Sequence, residues 1–156
     1  MKVLFLDFDG VLNSEASFRY EKRRKTLDTA NMLSVVACSN LQYILEQDSD
    51  VKIVISSTWR LMHTIVELQN ILNAYGIQAA RVIGKTPAVL SRDRAHEINL
   101  WLEDNPNVTQ FAVLDDDSDV QALHVIPNSL IVKTTFEDGL LLSQAKQVAK
   151  FFRGES

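Results

Sequence analysis

The stretch VLFLDFDGVLN, residues 3–13, carries an apolar run straight into two aspartates, Asp7 and Asp9, one residue apart. A carboxylate among apolar side chains is costly unless something pairs with it. Two side by side repel, and each raises the other's pKa. At i and i+2 they share a face of an extended chain, and Gly10 then lets the backbone turn away. Such an arrangement predicts a cation at the end of the first strand. An isolated DFDG also fits a solvated turn, since Asp and Gly are common turn residues, so the remaining sequence has to decide.

Four further β-rich runs follow: VKIVIS (51–56), ARVIG (80–84), QFAVLD (110–115) and SLIVK (129–133). The first, second and fourth of the five runs are apolar on both faces, as buried parallel strands are. Helical patterns lie between them. One is expected from about Thr29 to Gln47, capped by Asp28 or Thr29. A second follows Thr58 through WRLMHTIVELQNILNAY to Gly76. A third starts after Ser91 and ends before Pro106, and the last spans about Gly139 to Phe152. Ile65, Leu68, Ile71 and Leu72 read as a core stripe, and Phe136 reads as core too. Alternating strands and helices predict an α/β fold, a mainly parallel sheet of about five strands with helices on both faces. With no linker or repeat, residues 1–156 read as a single domain.

In such sheets ligands bind beyond the carboxyl ends of the strands. Those ends carry Asp7 and Asp9, then Ser56, Ser57 and Thr58, then Asp115, Asp116, Asp117 and Asp119. The second acidic cluster tips the balance against a plain turn. Asp115 and Asp116 across the sheet from Asp7 make an oxygen-rich site suited to Mg²⁺. The hydroxyls of ISST and the amides of a helix N-terminus suit an anion. Cation, anion cradle and carboxylate together are the equipment for phosphoryl transfer to aspartate.

Composition sets bounds. A net charge of −4 argues against a protein that coats nucleic acid non-specifically. The single Cys38 excludes an internal disulfide and fits a reducing compartment. Asp7 and Asp9 interrupt the first apolar run where a secretory signal would continue, and no apolar segment approaches the ~20 residues that span a bilayer. No membrane partner and a cytoplasmic location are expected; nothing fixes the oligomeric state.

These residues resemble the haloacid dehalogenase (HAD) superfamily. FLDFDGVLN is similar to its first motif, VIS followed by STWR to its second, and VLDDD to its acidic fourth. The resemblance implies a three-layer Rossmann-like fold and a Mg²⁺-dependent phosphatase. Asp7 would be the nucleophile that becomes an aspartyl-phosphate and a Mg²⁺ ligand. Asp9 would be the general acid/base, with its carbonyl on the metal. Ser56 would bind the phosphoryl group with Ser57 beside it, and Asp115 and Asp116 would hold Mg²⁺, with Asp119 a lesser candidate. The cation of the third motif has two candidates. Lys85 has the family's residue type but lies upstream of the helix, whereas Arg94 lies in its first turns. RAHEINLW (94–101) resembles the third motif of polynucleotide 3′-phosphatase domains with Arg for Lys.

The segments 13–50 and 58–94 are too short for the folded cap domain of many superfamily members, so a capless site is implied. An open site suits a large substrate. ISSTWR with RAHEINLW resembles HAD domains of RNA-repair proteins, which implies a nucleic-acid 3′-phosphate or a nucleotide as substrate. Trp59 and Arg60 would lie beside the phosphate, where an indole can stack on a base; packing at a helix start is the competing role for Trp59. The basic run RYEKRRK (19–25) suits a phosphate backbone or a solvated face equally. Small phosphorylated metabolites are the alternative substrates, and a non-enzymatic phosphate-binding module is a further one. A receiver-type phospho-accepting switch fits poorly, because its acceptor aspartate belongs at the third strand. His63, His96 and His124 lack metal-ligand spacing.

Overall fold

In the computed structural model of the protein, five strands form one parallel sheet. They are β1 (Lys2–Leu6), β2 (Val51–Ile55), β3 (Val82–Lys85), β4 (Gln110–Asp115) and β5 (Ser129–Lys133), in the order β3-β2-β1-β4-β5. The structure describes residues 1–24, 33–117, 120 and 128–155, with the side chains of 21–24 excepted. Asp119, His124 and Lys25, together with the side chains of the basic run from residue 21, therefore lie outside what is described, as do both expected helix caps, Asp28 and Thr29.

Register explains the composition of the strands. Leu6 stands opposite Ile55 on one side and Leu114 on the other, so β1 is the fully enclosed centre. Its alternate residues serve two cores. Leu4 and Leu6 face a large cluster with α2 (Val35–Gln47), α3 (Ile65–Ala74) and α5 (Leu142–Phe152). Val3 and Phe5 face a smaller one built on α4 (Arg94–Asp104), where Phe5 meets Trp101 edge-on. Helices thus cover both faces, as the alternating pattern predicts. No helix among the described residues is long and apolar enough to cross a membrane.

Several boundaries differ from expectation, each for a local reason. α2 starts later than Thr29, because Ser34 adopts an extended conformation and its side chain accepts from the Ala37 amide. The helix expected after Thr58 is broken. Thr58–Leu61 forms a single 3₁₀ turn, and α3 starts afresh behind a capping box in which Thr64 and Glu67 satisfy one another's amides. α5 begins at Leu142 rather than Gly139, which instead takes a left-handed φ of 70° in a turn.

One helix was not foreseen, α1 (Glu15–Arg24), whose sequence EASFRYEKRR lacks an apolar stripe. Ser14 and Ser17 start it by exchanging amide-to-hydroxyl hydrogen bonds. Phe136, expected in the core, is about half exposed beside Phe18. Among the described residues, only α1 and α2 separate β1 from β2, and only short helical segments separate β2 from β3, so no sizeable cap covers the strand ends.

Candidate active site

Three adjacent strand ends build the site. The Asp7 amide continues the ladder by donating to the Leu114 carbonyl at 3.0 Å, and the Ser56 amide donates to the Leu6 carbonyl at 2.8 Å. The chain then doubles back: the Phe8 carbonyl accepts from the amides of Val11, Leu12 and Asn13. Gly10 carries the turn with φ of 78°, and a Cβ there would lie 2.2 Å from Asp116 Oδ2. Only glycine allows the loop after β1 to approach the loop after β4 this closely.

The acidic residues converge as a result. Asp7, Asp115 and Asp116 each place a carboxylate oxygen within 4.8 Å of the others. Asp7 Oδ1 accepts from the Phe8 amide at 2.8 Å, and Asp115 Oδ1 from the Asp117 amide at 2.9 Å. Arg94 enters from α4. Its Nη1 lies 2.8 Å from Asp115 Oδ2 and 3.5 Å from Asp7 Oδ2, and donates to the Ser56 carbonyl at 2.7 Å. The helix that carries it is capped by Asp93, whose carboxylate accepts from the Ala95 and His96 amides. Lys85 lies elsewhere, its ammonium donating to the Arg60 carbonyl. Of the two candidate cations, only Arg94 pairs with the acids among the described residues.

Electrostatics suit this cluster to a cation. Burial, together with the charge of Asp115, pushes Asp7 up to about 9, while Arg94 pulls the other way. Burial likewise raises Asp115 against the pull of Arg94. Arg94 is itself held charged, because Asp7 and Asp115 outweigh the burial that would discharge it. One guanidinium does not balance three clustered carboxylates. Oxygen donors at this spacing fit a hard divalent cation such as Mg²⁺, and HAD domains generally use that ion.

Asp9 is exposed, yet one of its oxygens is fixed. Oδ1 accepts from Asn13 Nδ2 at 2.8 Å and from the Trp59 indole N–H at 3.1 Å. Asn13 also accepts from the Gly10 amide, and the Thr134 hydroxyl donates to the Gly10 carbonyl. Sequence reasoning passed over Asn13 and Thr134. Only the four-residue spacing from Asp9 hinted at the first, and nothing hinted at the second.

Trp59 differs from the stacking platform considered above. It is 7 % exposed and packs on Phe8, so it has no free face for a base. Arg60 is equally withdrawn. Its guanidinium donates to the Ser57 and Thr86 carbonyls and pairs with buried Glu97, which also accepts from the Val89 amide. The serines remain at the site. Ser57 caps the 3₁₀ turn and hydrogen-bonds Asp7, while Ser56 Oγ is buried with no hydrogen-bond partner. Thr58 is exposed beside them.

The comparison with curated proteins and that with solved structures returned no match. The comparison with protein families matches residues 3–145 to the family described as the HAD domain in Swiss Army Knife RNA repair proteins. That span takes in every strand end described above, from Asp7 through Ser56 and Arg94 to Asp116. The chain therefore belongs to this family of HAD domains, and its general chemistry is that of a HAD-type phosphatase.

Proposed function

We propose that the protein is a Mg²⁺-dependent phosphomonoesterase acting on nucleic-acid 3′-phosphate ends or nucleotides, with residues 1–156 as one cytoplasmic catalytic domain. The observation that carries this reading is the Ser56 hydroxyl, buried without a partner beside Asp7 and Arg94. An unmade buried hydrogen bond costs roughly 1–3 kcal/mol, and a phosphoryl oxygen would satisfy it.

In this mechanism the Asp7 carboxylate attacks phosphorus while Arg94 holds both carboxylate and phosphoryl oxygens. Guanidinium geometry suits that double task. Asp9, anchored through Oδ1, presents its other oxygen to the leaving group. It gives a proton to the departing alcohol and then takes one from the water that hydrolyses the aspartyl-phosphate. Asp7, Asp115 and Asp116 would hold Mg²⁺, which supplies charge neutralisation at the phosphoryl oxygens. The family's link to RNA repair proteins supports the substrate class.

Phosphate release is expected from 3′-phosphorylated oligonucleotides with Mg²⁺ and not with EDTA, measured beside 5′-phosphorylated oligonucleotides, mononucleotides and sugar phosphates. Release only from the small esters would keep the chemistry and discard the nucleic-acid substrate. No release from any of them would sink the reading.

Ser56→Ala isolates the carrying observation. The variant should lose about 10–100-fold in turnover, yet its substrate-free form should melt at the same temperature or slightly higher, because an unpaired hydroxyl has been removed. A clear fall in melting temperature would mean that the hydroxyl has a structural partner instead.

A further inference from the structure

Beside the acids lies a cavity of about 650 Å³ that the phosphoryl chemistry leaves unused. That volume falls within the range of roughly 300–1,000 Å³ typical of ligand clefts. Its walls come from the 3₁₀ turn after β2 and from the loop between β3 and α4. They include Leu61, Met62, Val89, Leu90, Arg92 and Arg94. Arg94 also reaches Asp7 and Asp115, so one wall of the cavity is the side chain that pairs with the candidate nucleophile. A group esterified to the bound phosphoryl would project into it.

The walls specify what that group is. Leu61 is 63 % exposed, Met62 72 % and Leu90 fully exposed. Three large apolar side chains on one rim are an unsatisfied surface. Flat, weakly polar rings suit it, and a Met thioether adapts readily to ring faces; a polyhydroxylated sugar alone would gain little there. Charge adds a second requirement. Three guanidiniums, of Arg60, Arg92 and Arg94, line the cavity against two carboxylates, of Glu97 and Asp117. Arg60 and Arg94 have carboxylate partners, whereas Arg92 takes part in none of the ion pairs among the described residues. Its backbone holds a left-handed φ of 56°, uncommon for a side chain of this size.

We propose that this cavity is the leaving-group subsite, in which Leu61, Met62, Val89 and Leu90 grip the terminal nucleobase and Arg92 contacts the adjacent phosphodiester. The assignment rests on the phosphatase reading above and narrows its substrate to an end that carries a base and a following phosphate. It also supplies the base contact that buried Trp59 does not make.

Equilibrium binding by fluorescence anisotropy in the Asp7→Asn background tests it. Two short single-stranded probes are used, both 3′-phosphorylated, one ending in an ordinary nucleotide and one in an abasic residue. The ordinary end should bind about tenfold more tightly. Met62→Ser with Leu90→Ser, both at exposed positions, should erase that ratio. Arg92→Ala should weaken both probes alike and reduce the salt slope by about 0.7. Equal affinity for the two ends, or a ratio that survives the double substitution, would overturn the proposal. So would a concentration-dependent dimer lost in the double variant, which would assign the apolar rim to a second copy of the chain. Phosphate release by the wild-type protein, assayed alongside, separates the two readings. Release without the binding ratio removes the subsite alone, and the ratio without release removes the phosphatase alone.

Discussion

Asp7→Asn is expected to abolish turnover and, in EDTA, to raise the melting temperature. Loss of the nucleophile should lower phosphate release by at least about 10³-fold. The stabilisation follows from burial. In the folded, metal-free protein burial and the charge of Asp115 push Asp7 up to about 9, against 3.8 for a free aspartate. Between those values folding takes up a proton, so the stability of the metal-free wild type falls as pH rises through that window.

Asparagine takes up no proton, and its amide oxygen can still accept from the Phe8 amide. The variant should therefore be more stable at pH 7 by on the order of 2–4 kcal/mol, or about 5–10 °C in melting temperature. The gap should widen towards pH 9 and close below pH 4. Mg²⁺ should reverse the order, because a cation that binds only the intact carboxylate set stabilises the wild type by mass action. Calorimetry of both proteins across pH, with and without Mg²⁺, reads all of this. A lower melting temperature for the variant in EDTA would refute the buried-charge account, and retained turnover would refute the covalent route.

The second large effect lies one helical turn beyond Arg94. Glu97→Ala should cost about 3–5 kcal/mol, because it leaves the Arg60 guanidinium buried without its carboxylate. For a chain of this length that is a fall of about 10 °C or more. Activity should fall with it, since the same pair ties the Ser57 turn, the Thr86 loop and α4 together. Replacing both partners, Arg60→Met with Glu97→Leu, should recover part of the loss. Full recovery is not expected, as the Ser57 and Thr86 carbonyls would lose their donor. A denaturant titration showing less than about 1 kcal/mol for Glu97→Ala would show that the pair is not coupled to the fold.

The reach of the sequence follows from what each residue interacts with. Asp7, Ser56 and Asp115 were legible because each ends an apolar run, and strand ends converge in a parallel sheet whatever the details. Position in the first turns of the helix favours Arg94 over Lys85, but the final choice depends on which direction two long side chains take. Placement beside the serines suggests substrate contacts for Arg60 and Trp59, with packing at a helix start the competing role that Trp59 in fact takes. Position along the chain does not reveal burial, and Glu97, the partner that draws Arg60 inward, lies thirty-seven residues away. α1 escaped notice for the opposite reason: serine hydrogen bonds and no apolar stripe define it. The break after Leu61 was readable in principle, since Thr64 and Glu67 have the spacing of a capping box.

The strand order has a consequence for how the molecule is made. β1 is made before the other four strands yet occupies the middle of the sheet, between β2 and β4. Its two most apolar flanks stay bare until those later strands emerge, an interval in which a nascent chain is open to wrong partners. Asp7 meets Asp115 only once β4 is seated, so the acids are brought into mutual repulsion at a late stage of assembly. A cation captured at that moment would act as a latch on the finished sheet. Closing the centre of the sheet would then be the same event that arms the chemistry.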